Sequence, residues 1–166
     1  GRFGDCAILS FCQNKIITTG EGGALVTENK FIFDQAELMR SHGKNEKGEF
    51  VTLGYNFRMP DMVAAVGIAQ LNKIDWMIKQ RQEIASWYRA ELGDMVPKVL
   101  PFNNHVHQLM TIRTPKRDAV MANLANNGVQ SKVYFPPVHL TPYYRQGTWN
   151  TANLPITENV SSEVLS

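Results

Sequence analysis

Few side chains in this 166-residue chain are placed to do chemistry, and Lys15 is the most suggestive of them. It follows Ser10-Phe11-Cys12-Gln13-Asn14, directly behind an apolar run at 7–11, and precedes Gly20-Glu21-Gly22-Gly23. An amine held at a strand end beside low-dielectric surroundings can give up its proton and attack a carbonyl. Most lysines between strands are solvated surface charges. Ser10 offers a hydroxyl to an oxyanion such as phosphate. The glycines either let backbone approach a bulky ligand or simply make a hairpin turn. The four histidines, His42, His105, His107 and His139, show no metal-ligand grouping: a shared strand face for His105 and His107 is too little for zinc. No His-Glu-x-x-His, paired Cys-x-x-Cys, P-loop or Gly-x-Ser-x-Gly pattern occurs, so a zinc hydrolase is set aside and no metal is expected.

Composition excludes further classes. Charged residues make up 19% and hydrophobic residues 43%, which rules out wholesale disorder. The length suits about one domain, and a compact fold of that size buries about 68–70% of its chain surface. Net charge is +2 with Lys and Arg scattered, so no basic stripe argues for nucleic acid. No apolar run approaches the ~20 residues of a membrane span, and no signal-peptide pattern opens the chain. Cys6 and Cys12 end one expected strand, their Cα atoms roughly 20 Å apart, too far for a disulfide. Reduced, partly buried cysteines suit the cytoplasm. The chain begins Gly1-Arg2-Phe3-Gly4-Asp5 without an initiator Met and reads as a piece of something longer.

The elements that must position Lys15 come first in the chain. The run at 7–11 predicts a strand. Ile16-Ile17-Thr18-Thr19 and Ala24-Leu25-Val26-Thr27 predict two more around the glycine-rich turn. Residues 31–40 predict a helix with Phe31, Leu38 and Met39 on its apolar side, and 41–54 an exposed or functional loop. From Pro60-Asp61, with Asp61 as N-cap, a long helix runs to a stop at Gly93. Its stripe of Ala64, Ile68, Leu71, Ile74, Met77 and Ile78 predicts a buried face, and Trp76 and Trp87 read as core packing. A second unit follows Pro97 and Pro101: a strand at 106–113, a helix capped by Thr114 with Pro115 first, and a strand at 129–135. Val120, Met121 and Leu124 face that helix inward, and Gly128 ends it. Strand, helix, strand predicts an α/β layer. The boundary falls near 93–101, giving domains at 1–95 and 96–166. After Pro136-Pro137 the chain turns polar, aromatic and irregular through Trp149 to Pro155, and no internal repeat is present.

Several phrases, in order, carry a resemblance. Gly4-Asp5, Ser10-Phe11-Cys12-Gln13-Asn14-Lys15 and Thr19-Gly20-Glu21-Gly22-Gly23 are followed by Arg40-Ser41-His42-Gly43 and Gly54-Tyr55-Asn56-Phe57-Arg58-Met59. Then come Ala64-Ala65-Val66-Gly67-Ile68-Ala69-Gln70-Leu71 and Pro137-Val138-His139-Leu140-Thr141-Pro142-Tyr143-Tyr144. Together they resemble the DegT/DnrJ/EryC1/StrS family of sugar aminotransferases, end to end. Cys12 and Gln108 depart from the pattern, at positions where relatives often carry His.

The resemblance implies an α/β protein, part of an aspartate aminotransferase-like (fold type I) transferase. Residues 1–95 would close the large cofactor-binding domain and 96–166 would form an incomplete small one. It implies pyridoxal 5'-phosphate as cofactor. It implies transfer of an amino group, usually from glutamate, to a nucleotide-linked keto sugar in polysaccharide, lipopolysaccharide or antibiotic sugar biosynthesis. Lys15 matches the lysine that carries the cofactor and shuttles the proton, and Ser10 a contact to the cofactor phosphate. Asn56 matches a residue reaching the phosphate in the neighbouring subunit, which implies a homodimer with shared active sites; by itself it reads as a turn residue. His42, His139 and Tyr143 match loop positions near the sugar, although His139 also suits a purely structural imidazole. The family's carboxylate partner of the pyridine nitrogen has no counterpart in these residues, so the chain alone is expected to be inactive. A non-catalytic binding or dimerisation module that keeps the fold is the alternative.

Overall fold

The computed structural model describes residues 3–100, 104–147 and 153–166. Pro101 and Trp149 lie outside the described residues. The chain divides into two compact units, Gly1–Ile78 and Lys79–Ser166.

In the first unit, strand β1 (Ala7–Ser10) pairs antiparallel with β2 (Gly23–Val26), Ala7 opposite Val26 and Ser10 opposite Gly23. The strand expected at 16–19 is not formed. Its β-branched residues favour a strand by propensity, but β1 takes its partner from beyond the glycines, and 11–22 becomes a closed loop. Cys6 is exposed and Cys12 half-buried, both free. Helix α1 (Lys30–Arg40) starts on Asn29, whose side chain accepts from the amides of Phe31 at 3.0 Å and Ile32 at 3.3 Å. Phe31 and Met39 lie in solvent, and the half-buried side is instead Ile32, Ala36 and Leu38.

The long helix is two. Helix α2 (Asp61–Leu71) and α3 (Ile74–Leu92) are separated by Asn72-Lys73, where Lys73 N–H turns back to the Gln70 carbonyl at 3.0 Å. Asn is a weak helix former because its side chain competes for backbone partners. Pro60 takes the N-cap position and Asp61 enters the first turn, where a carboxylate suits the helix dipole. Of the predicted stripe, Ala64, Ile74, Met77 and Ile78 are half-buried, while Ile68 and Leu71 are exposed. Trp76 and Trp87 are exposed as well, not core.

In the second unit the strand expected at 106–113 contracts to β3 (Ile112–Arg113). Helix α4 (Arg117–Asn126) begins after Lys116, so its cap falls past the predicted Thr114, at Lys116. Thr114 is buried, and its hydroxyl accepts from Lys116 N–H at 3.2 Å, so it shapes the entry turn instead. Gly128, at φ +75°, ends α4 as predicted. The irregular tail holds two further helices, α5 (Pro142–Arg145) and α6 (Pro155–Glu163), and a strand, β4 (Val164–Leu165), which pairs with β3. The polar face of Pro155-Ile156-Thr157-Glu158-Asn159 hides that helix from an apolar-period reading. Of the strand expected at 129–135 only Lys132 pairs, exchanging both backbone hydrogen bonds with Ser166 at 2.7 and 2.9 Å.

Ala85, Val96 and Leu165 are the buried hydrophobic residues among the described residues. The exposed surface is 13095 Å². Two compact units, each half of the 18.7 kDa total, would together expose about 10,000 Å². The expected burial is therefore not reached.

Candidate active site

Phe11 anchors the loop that carries Lys15. Its N–H donates to the Gly22 carbonyl at 2.9 Å, and its own carbonyl accepts from Thr19 N–H at 3.0 Å and the Thr18 hydroxyl at 3.1 Å. Inside that closure, Lys15 N–H donates to the Cys12 carbonyl at 3.0 Å, so the half-buried Lys15 ends a tight turn. Its backbone is thus fixed by two nested hydrogen-bonded rings. Ser10, at the end of β1, accepts from Cys12 N–H at 3.4 Å, which leaves its O–H as a donor.

A second segment passes against this loop. A Cβ on Gly22 would lie 2.7 Å from Thr19 Oγ1 and 2.9 Å from Met59 Cε, and a Cβ on Gly67 of α2 would lie 3.1 Å from Thr19 Cγ2. Thr19 is therefore where the lysine loop, the 56–59 segment and α2 meet, around a cavity of about 140 Å³. Gly67, a poor residue inside a helix by propensity, sits where a Cβ would press on the Thr19 methyl.

Asn56 is held by the C-terminal end of α1. Tyr55 N–H donates to Met39 O at 2.7 Å and Phe57 N–H to Arg40 O at 3.0 Å, which satisfies carbonyls that a helix end leaves open. Ser41 and Asn56 form an antiparallel bridge, and His42 N–H donates to Tyr55 O at 2.8 Å. His42 has φ +62°, an uncommon backbone for a residue with a side chain. The Tyr55 and Phe57 rings stack at 4.9 Å, and Arg58 Nε donates to Asn56 Oδ1 at 3.1 Å.

The second unit holds the remaining predicted residues. His139 is nearly buried, its side chain 11% exposed, with Nε2 3.0 Å from Glu158 Oε1 on α6. Tyr143 is exposed at the start of α5, its ring edge-on to Tyr144 at 5.2 Å. The His105 and His107 rings meet edge-on at 4.4 Å in irregular chain, not on a strand face, and Arg81 of α3 donates to the His107 carbonyl at 2.9 Å. Burial, with His105 and Arg89 adding repulsion, holds the His107 imidazole below its ordinary range. Among the described residues no three His, Cys, Asp or Glu are grouped to hold a metal ion, and no helix is long and apolar enough to cross a membrane. Ser10, Lys15, His42 and Asn56 thus share the first unit. Sequence reasoning missed Thr19, Arg58 and Glu158 as partners. For Arg58 the signal was present, because residues two apart in extended chain share a face.

All 166 residues match the profile of the DegT/DnrJ/EryC1/StrS aminotransferase family. The chain belongs to this family. GDP-perosamine synthase of Caulobacter vibrioides is 37% identical over 156 residues, which are 87% of this chain and 42% of that protein. The structure of S. venezuelae DesV superposes with a TM-score of 0.91 at 30% identity, over 98% of this chain and 46% of that one. Helicobacter pylori PseC, an aminotransferase involved in pseudoaminic acid biosynthesis, gives 0.89 at 28% identity, over 99% and 47%. The chain therefore spans less than half the length of these relatives, and it has the α/β fold of the sugar aminotransferases over that span.

DegT/DnrJ/EryC1/StrS aminotransferases depend on pyridoxal phosphate. The donor set of the first unit fits such a group. A primary amine on a rigid loop can bond to an aldehyde, and a neutral hydroxyl and amide can donate to a phosphate. Lys15, Ser10 and Asn56 are the residues of this chain that would hold it.

Proposed function

We propose that this chain is the lysine-bearing part of a pyridoxal-phosphate-dependent aminotransferase, moving an amino group from glutamate to the ketone of a nucleotide-linked sugar. Residues 1–95 would complete the large domain and 96–166 belong to the small one. When bound, the cofactor supplies an electron sink for the carbon whose proton is moved. Lys15 carries the cofactor, then holds and returns that proton at its Nζ. Ser10 and, across a homodimer interface, Asn56 orient the phosphate through neutral hydrogen bonds. His42, His139 and Tyr143 border the sugar. For His139 the contact falls to Nδ1, since Nε2 is engaged by Glu158.

The observation that carries this reading is the Lys15 loop, tied at Phe11 and at Cys12 so that an otherwise flexible amine leaves from a fixed backbone, with Cys12 also bonded to Ser10. Borohydride reduction of the protein with pyridoxal phosphate, followed by peptide mapping, tests it. The expected result is a label on Lys15 that a Lys15→Ala variant loses. No label on a folded protein overturns the enzyme reading and leaves a binding or dimerisation module.

A further inference from the structure

We propose that Arg58 is the positioning residue of Asn56, deciding which end of its amide faces the cofactor phosphate. The inference rests on the reading of Asn56 given above. A carboxamide has nearly the same shape whichever end is oxygen, so its orientation is decided by its partners. Arg58 Nε is 3.1 Å from Asn56 Oδ1, and a guanidinium can only donate. The atom it meets must be the carbonyl oxygen. The Nδ2 group, with both N–H bonds, is then turned the other way, which is the polarity an anion requires. Freed of Arg58, the amide can rotate and offer lone pairs instead.

The backbone supports this assignment. Asn56 cannot move to find its own partner, because both neighbours are bonded to the carbonyls of Met39 and Arg40. Residues 55 and 57 stack their rings on one side of the extended segment, so 56 and 58 emerge together on the other. A donating cation on Oδ1 also polarises the amide and strengthens its N–H groups as donors.

Substitutions of similar length provide the test. Arg58→Gln keeps an N–H donor near the place of Nε without the charge, and Arg58→Met puts a methyl there. The full protein as Arg58→Gln, Arg58→Met, Asn56→Ala and Asn56→Ala/Arg58→Met is titrated with pyridoxal phosphate by absorbance, with circular dichroism checking the fold. Loss of one charge-assisted hydrogen bond predicts about tenfold weaker binding for Arg58→Met. Arg58→Gln is expected to stay within about threefold of wild type, and the double variant to bind no more weakly than Asn56→Ala. Wild-type binding by Arg58→Met, equal weakening by Arg58→Gln, or effects that multiply in the double variant would each overturn the proposal. A second readout needs no cofactor: the Asn56 side-chain amide resonances are expected to shift in Arg58→Met and hold in Arg58→Gln. If wild type fails to take up pyridoxal phosphate, the aminotransferase reading fails. The amide resonances then still decide the role of Arg58, and unmoved resonances in Arg58→Met would sink it.

Discussion

Ser10 and His107 show what single residues contribute in the two units. Ser10 accepts from Cys12 N–H through its oxygen, a bond that does not use its own proton. Removing the hydroxyl in Ser10→Ala should weaken pyridoxal phosphate binding about tenfold while leaving the exposed end of β1 folded, as a titration beside a thermal melt would register. His107 sets a pH dependence of opposite character. Its folded imidazole titrates below the ordinary value of 6.5, because burial and then His105 and Arg89 disfavour the charged form. Below pH 6.5 the unfolded chain therefore binds more protons than the folded one, and stability falls as pH drops toward the folded value. Above 6.5 this contribution is flat. Proton NMR of the imidazole should give a midpoint under 6.5, and His107→Gln should reduce the acid sensitivity of the melting temperature. The family was legible in the sequence because the neighbours of Lys15, Ser10 and Asn56 form ordered phrases, and the profile match over all 166 residues agrees with that. For Arg58 the spacing from Asn56 was a signal, though not which atom it meets, and Glu158 gave none, because its meaning lies in reaching His139 from another helix.

At the scale of elements, the crossing at Gly43 and Gly54 fixes where Asn56 stands. A Cβ on Gly54 would lie 1.9 Å from Gly43 N, and one on Gly43 would lie 1.9 Å from the Thr52 carbonyl oxygen. Both obstacles are backbone, which cannot swing aside. Gly54→Ala should therefore cost about 1–3 kcal/mol, pull apart the Ser41–Asn56 bridge and abolish tight cofactor binding. Gly48 makes the internal control: it also has positive φ, at +81°, but a Cβ there meets nothing within 4 Å. Gly48→Ala should cost only about 1 kcal/mol of backbone strain and leave the cofactor affinity unchanged. Calorimetric melts and a titration of both variants compare the two. Helices α1 and α4, with the Gly128 stop, could be read directly from periodicity and stop signals. The irregular 16–19 and the break at Asn72-Lys73 could not. At 16–19 a local preference for strand yields to the pairing of β1 with β2 across the glycines, and at Asn72-Lys73 a local turn back to Gln70 breaks a helix that apolar spacing alone would continue.

For the molecule as a whole, α2 poses the physical question. Val63, Ala64, Gly67 and Gln70 form its half-buried side, which includes the contact with the lysine loop. Met62, Ala65, Val66 and Ala69 follow the same helical spacing on the outward side and are exposed, Met62 to 83%. A helix apolar on both sides belongs in an interior, and an exposed apolar stripe of this kind marks a surface that associates. The 13095 Å² of exposed surface, set against about 10,000 Å² for two compact units, says the same of the chain at large. The 166 residues alone should therefore self-associate and bind a hydrophobic dye. Met62→Asp/Val66→Asp should reduce both without changing the circular dichroism spectrum, because both side chains are exposed, Val66 to 49%. Sedimentation velocity on the two proteins measures this. If wild type and variant sediment alike as monomers, the outward side of α2 is not the associating surface, and the excess area must be sought in the exposed faces of β1 and β2.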